Sequence, residues 1–142
     1  MQAIGWIVAL AAALMMGGGG ASAATAPLYP ARDCTQMMTQ MDLNQCAGAN
    51  YGAADAALNR LCRRLMADQS DTASKQRLTE AERAWIVYRD KECAFEVGPQ
   101  KGGGSIWPME MSNCLEDVTA ARLRELTKLR GCTEGVSACN PH

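Results

Sequence analysis

The stretch Leu78–Cys114, LTEAERAWIVYRDKECAFEVGPQKGGGSIWPMEMSNC, decides the fold. It begins with an amphipathic run, passes through Gly98-Pro99 and the glycine-rich Lys101-Gly102-Gly103-Gly104-Ser105, and then becomes helical again. Pro cannot continue the hydrogen bonding of a helix interior, so Gly98-Pro99 is a stop signal. Cys93 and Cys114 stand on either side of the turn. The pattern predicts two helices stapled by a disulfide, and it holds no recognisable catalytic centre.

Working outward, the run before the turn predicts a helix over about 74–95. Its apolar seam reads Leu78, Ala81, Trp85, Tyr88 and Phe95, with Glu82, Arg83, Arg89, Asp90 and Lys91 mostly off it. Ala67–Ser74 is polar and reads as a loop. Before it, Leu43, Ala47, Tyr51, Ala54, Leu58, Leu61 and Leu65 recur at steps of three and four, which predicts another helix. Thr39 is its expected N-cap and Asp42 an acidic first-turn residue. Gly48 and Gly52 weaken it by up to about 1 kcal/mol each unless a neighbour packs closely there. After the turn, a third helix starts near Ile106–Pro108 and directs Met111, Cys114, Val118, Ala121, Leu126 and Leu129 to a core, with Gly131 as its C-cap. No strand pattern competes. The expected fold is all-α: a small antiparallel three-helix bundle, with room for a short extra helix, stapled by disulfides.

The ends read differently. Ala3–Met16 is almost continuously apolar, Gly17–Gly20 breaks the run, and Ala21-Ser22-Ala23 offers a small-residue cleavage site. This is the layout of a signal peptide over residues 1–24, although Met1-Gln2-Ala3 carries no basic side chain. The apolar run is short for a permanent anchor, and Ala31-Arg32-Asp33 before Cys34 is no lipobox. The expected mature protein is periplasmic or secreted, with no membrane attachment. Residues 25–38, with Pro27 and Pro30, read as an extended leader, residues 39–131 as the helical domain, and residues 132–142 as an irregular cysteine-containing tail.

Composition excludes several functions. The 142 residues hold 14 basic and 15 acidic side chains, for a formal net charge of −1. Without a basic bias, nucleic acid is not an expected partner. The one histidine is His142, the last residue, so no internal imidazole serves a metal or a cysteine nucleophile. No catalytic residue, metal site or cofactor is expected. The seven cysteines, behind a signal peptide, read as disulfides. The preferred arrangement pairs Cys93 with Cys114, Cys34 with Cys46 and Cys132 with Cys139, and leaves Cys62 single; the count allows many others. Arg63 and Arg64 beside Cys62 would lower a thiol pKa, but a half-buried structural cysteine is the stronger expectation.

The ordered segments Thr39-Gln40-Met41-Asp42-Leu43-Asn44-Gln45-Cys46, Ala54-Asp55-Ala56-Ala57-Leu58-Asn59, Glu82–Cys93, Gly103-Gly104-Ser105-Ile106 and Thr119-Ala120-Ala121-Arg122 together resemble the LprI-type lysozyme inhibitor family. The resemblance covers roughly Cys34–Leu129 and is carried most by the Trp-x-x-Tyr-Arg-Asp-x-x-Cys run. It implies a secreted or envelope-located helical domain with disulfides, with lysozyme as its implied protein partner; the residues themselves lead to the expectation that the chain is not an enzyme. The chain departs from the pattern at Glu82, where Gln is usual, at Cys62, where Tyr is frequent, and at Cys132 and Cys139, which lie beyond the usual domain.

Asp55, Asn59, Arg89, Asp90 and Arg122 match the family motifs, and their expected role is structural, with Arg89 or Arg122 pairing to Asp55 or Asp90 between helices. Trp85 and Tyr88 are expected in the core. The candidate partner-binding surface is the turn, through Lys101, Ser105, Ile106 and Trp107, since Trp is a common interface anchor. The alternative function is a structural or stress-related envelope binding module with another partner.

Overall fold

The computed structural model describes residues 27–133. They form helix α1 (Gln40–Asp68), helix α2 (Thr72–Val97), a short 3-10 helix (Gly104–Ile106) and helix α3 (Trp107–Thr133). No strand occurs among the described residues. The described residues form an all-α, three-helix bundle with two disulfides among them, Cys34–Cys46 and Cys93–Cys114. The expected signal peptide and the expected Cys132–Cys139 bond lie outside the described residues.

Local signals explain the element ends. Thr39 caps α1 by accepting from the Asp42 backbone N–H, and Asp71 caps α2 by accepting from Ser74 N–H; each satisfies a donor that the first helical turn leaves without a partner. The Asp71 cap brings the start of α2 forward to Thr72, so the loop is shorter than the polar stretch 67–74 predicted. At its other end α2 closes on Gly98, whose φ of 75° a side chain would resist. Helix α3 continues to Thr133, so Gly131 is not its C-cap and the tail is still helical at Cys132.

The bundle runs up, down, up, and this makes α1 and α3 parallel. Gln40 meets Met109 at one end, and Asp68 meets Arg130 at the other. The most extensive packing is between these two helices. Small residues bring them close: Ala47, Ala54, Ala57 and Ala120 are all buried. Around them Leu58, Leu61, Leu65, Leu123 and Leu126 form the apolar core, against which Tyr29, Cys62, Leu78 and Trp85 pack. On α3 the fully buried positions are Cys114, Thr119, Ala120, Leu123 and Leu126, whereas Leu129, expected inside, is 54% exposed. Gly48 and Gly52 are not close-packing positions: a Cβ at Gly48 would just touch Ser112, and one at Gly52 would meet open space.

Helix α2 departs most from the apolar-period reading. Only Cys93 is fully buried on it, while Tyr88 is 54% and Phe95 85% exposed. Its inward face is Leu78, Glu82, Trp85, Arg89 and Cys93, at steps of four, three, four and four. The side chains of Glu82 and Arg89 are only 16% and 11% exposed. Two residues expected off the seam therefore hold it, and three expected on the seam, Ala81, Tyr88 and Phe95, are exposed. The physical reason is that each inward charge has a partner on another helix, which makes its burial tolerable.

The segment before α1 turns at residues 35–36 and is tied down along its length. Asn50, buried in α1, accepts from Arg32 N–H at 2.7 Å and donates to Arg32 C=O at 3.0 Å. Tyr29 Oη donates to Glu116 on α3 at 2.8 Å. The Cys34–Cys46 bond adds a covalent tie, closing a separation of 12 residues.

Candidate functional site

The family-motif residues converge on two polar clusters where α2 meets the other helices. In the first, Arg89 lies between two aromatic rings, 5.7 Å from the centroid of Tyr51 on α1 and 5.4 Å from that of Trp85. Its planar cation suits such stacking. Arg89 also pairs with Asp55 on α1 at 3.6 Å and with its neighbour Asp90 at 2.7 Å. Asn59 Nδ2 donates to Asp55 Oδ2 at 2.8 Å and completes the group. The interhelical pair expected for Arg89 is thus the one to Asp55. Burial raises the Tyr51 pKa, against the opposing pull of the Arg89 charge.

The second cluster spans all three helices. Arg122 on α3 donates from Nε to Glu82 Oε1 at 3.1 Å and pairs with Glu125 at 3.0 Å. Its partner is therefore Glu82, not the expected Asp55 or Asp90. Burial opposes the Arg122 charge, but Glu82 and Glu125 outweigh it and raise its pKa. Cys62 on α1, half-buried and free of any disulfide, donates from Sγ to Glu82 Oε2 at 3.6 Å. Burial, then the Glu82 charge and hydrogen bond, push the thiol up to about 12; Arg122 and Arg63 pull the other way and lose. A thiol so shifted is a poor nucleophile at neutral pH. Arg63 and Arg64, which suggested activation from the sequence, do not decide it.

Chemically, these clusters fasten helices. No group of three or more His, Cys, Asp or Glu side chains among the described residues is arranged to hold a metal ion. The sequence placed Tyr51 only on the apolar face of α1 and did not single out Asn50, since the partner of each lies on another segment of the chain. Tyr51 follows the spacing Tyr51, Asp55, Asn59, Cys62 along one face of α1, which was the available signal.

The turn 101–107 sits at the end of the bundle where α1 and α3 begin. Ser105 C=O accepts from Asn44 Nδ2 at 3.0 Å, which seats the turn on α1. Trp107 is half-buried and donates from Nε1 to Gly98 C=O at 3.1 Å. A Cβ at Gly103 would lie 2.6 Å from the Trp107 ring, so glycine is required there by close approach. Lys101, Ser105 and Ile106 remain exposed. The Cys93–Cys114 bond holds both helices that carry the turn. The same end presents Met38 at 92% exposure, with Met41, Phe95 and Ile106 also exposed. Exposed apolar side chains gathered at one place mark interaction surfaces, and methionine adapts to varied partners.

The family model described as Lysozyme inhibitor LprI matches residues 31–126, which include α1, α2, most of α3 and the cysteines of both described disulfides. A protein of Rhizobium meliloti (strain 1021), itself uncharacterised, is 38% identical over 117 residues, covering 74% of this chain and 84% of the relative. No solved structure matches. Proteins of the matched family are secreted or periplasmic, and the family is not one of enzymes. Among the described residues, no helix is long and apolar enough to cross a membrane. A match across most of the bundle, with the motif residues meeting at the helix junctions, establishes that this chain belongs to the LprI lysozyme inhibitor family.

Proposed function

We propose that the protein is a periplasmic or secreted inhibitor that binds lysozyme by surface complementarity and performs no catalysis. The family match over residues 31–126 carries this reading. The end of the bundle is the surface we assign to the contact. There Lys101, Ser105 and Ile106 are exposed at the same end as Phe95, Met38 and Met41, and a disulfide joins the two helices that carry the turn. A rigid protrusion loses little conformational freedom on binding, which favours affinity. Trp107 acts as a strut for the turn, and Phe95 and Ile106 are its apolar contacts. With a net charge of −1, contact area outweighs electrostatic steering. The reading needs no cofactor.

Isothermal titration of purified lysozyme into the protein tests this directly. A saturable complex is expected, and Phe95→Asp should weaken it by about 2 kcal/mol or more, as for a central interface anchor. Undiminished binding by Phe95→Asp and Ile106→Asp, both folded, would remove this end of the bundle from the contact.

A further inference from the structure

At the opposite end of the bundle, the parallel pair α1 and α3 leaves a groove that the lysozyme reading does not use. The segment before α1 crosses it. Leu28 lies over the groove and divides it into two adjoining cavities of about 370 and 510 Å3. Leu28 and Thr127 line both. The floor of the first is the hydrophobic core itself, through Ala57, Leu61 and Leu123, and the floor of the second includes Ala120. Cavities of this size match small ligands rather than folded partners.

The rim is cationic. Arg60, Arg64 and Arg130 border the first cavity, and Arg124 and Lys128 the second. Arg130 is engaged with Asp68 at 3.3 Å. Arg60, Arg64 and Arg124 are exposed and make no ion pair among the described residues. In a chain of net charge −1, this is a local concentration of positive charge. It borders apolar walls, and no carboxylate lines either cavity.

We propose that this groove binds an anionic single-chain amphiphile, with a carboxylate or phosphate head. The acyl chain lies on Leu61, Leu123 and Ala120 and under Leu28. The head is held at the rim by Arg64 of α1 and Arg124 of α3, whose guanidinium groups suit the planar, two-oxygen face of such an anion. Charge complementarity selects the head, and the apolar floor selects the chain. The site is independent of the lysozyme contact, because it lies at the far end of α1 and α3 from the turn.

The test is calorimetric titration of the secreted full-length product with sodium dodecanoate below its micellar concentration. One saturable site of micromolar affinity is expected, with no binding of acetate, which lacks the chain, or of dodecyltrimethylammonium, which carries the opposite charge. Arg64→Glu and Arg124→Glu, each confirmed folded by circular dichroism, should each weaken dodecanoate binding about tenfold or more, while Arg83→Glu on α2 leaves it unchanged. Absence of saturable dodecanoate binding would overturn the proposal. So would equal binding of the cationic amphiphile, unchanged affinity in both arginine variants, or adsorption to phosphatidylglycerol vesicles alone.

Discussion

Glu82→Gln is a revealing substitution, because it removes one charge and almost no volume from the junction of all three helices. Glu82 accepts from Arg122 and from the Cys62 thiol, and its side chain is 16% exposed against 18% for Arg122. A hydrogen bond to a charged group contributes about 1.5–3 kcal/mol and a neutral one about 0.5–1.5, so the loss should be about 1–1.5 kcal/mol. Arg122 retains Glu125, which keeps the loss at the lower end. For a domain of this size, the melting temperature should fall by about 5 °C. A second readout separates this account from general loosening. The Glu82 charge and hydrogen bond follow burial among the causes that hold the Cys62 thiol up at about 12. In the Gln variant the pH midpoint for alkylation of Cys62 should therefore move down. Thermal unfolding by circular dichroism and pH-dependent alkylation measure the two effects. An unchanged melting temperature together with an unchanged alkylation profile would refute the three-helix junction as described.

Replacing both Cys93 and Cys114 by alanine opens a loop with a separation of 21 residues. By loop-closure entropy this should cost about 3 kcal/mol in denaturant unfolding, with the far-UV spectrum still helical. Alkaline titration has a defined sign: the folded state holds Cys62 up at about 12 from 9.0 and Tyr29 up at about 12 from 10.0, both chiefly by burial. Each raised group contributes stability that is fully present below its unfolded pKa and lost as pH rises toward the folded one. Stability should therefore be flat in these groups up to about pH 9 and decline above it, and Cys62→Ala with Tyr29→Phe should flatten that decline in denaturant titrations across the range. Trp107→Phe keeps a ring against Gly103 but loses the Nε1 bond to Gly98 C=O; about 1 kcal/mol of stability should disappear in the same unfolding assay.

Where the signals were local, the sequence read well. Thr39 and Asp42 mark the start of α1, Gly98-Pro99 the end of α2, and the three-and-four spacing of Leu58, Leu61 and Leu65 the core face of α1. The cysteines flanking the turn foretold the Cys93–Cys114 staple. Helix α2 defeated the same reasoning because hydropathy assigns Tyr88 and Phe95 inward and Glu82 and Arg89 outward. The structure reverses them, since Asp55 and Arg122 supply partners from α1 and α3. A periodic pattern within one helix carries no information about a counter-ion on another. The anchoring of the first segment was hidden for the same reason: Tyr29 finds Glu116 far along the chain. For the candidate binding surface, the exposed turn was visible in its glycines. The contribution of Phe95, Met38 and Met41 depended on which ends the topology brings together.

The most direct test of the central claim is a titration of lysozyme activity on bacterial cell walls with the purified protein. The account predicts that activity falls progressively and saturably at micromolar protein, and that Phe95→Asp shifts the curve to higher concentration without unfolding the bundle. Full lysozyme activity in the presence of excess folded protein would contradict it.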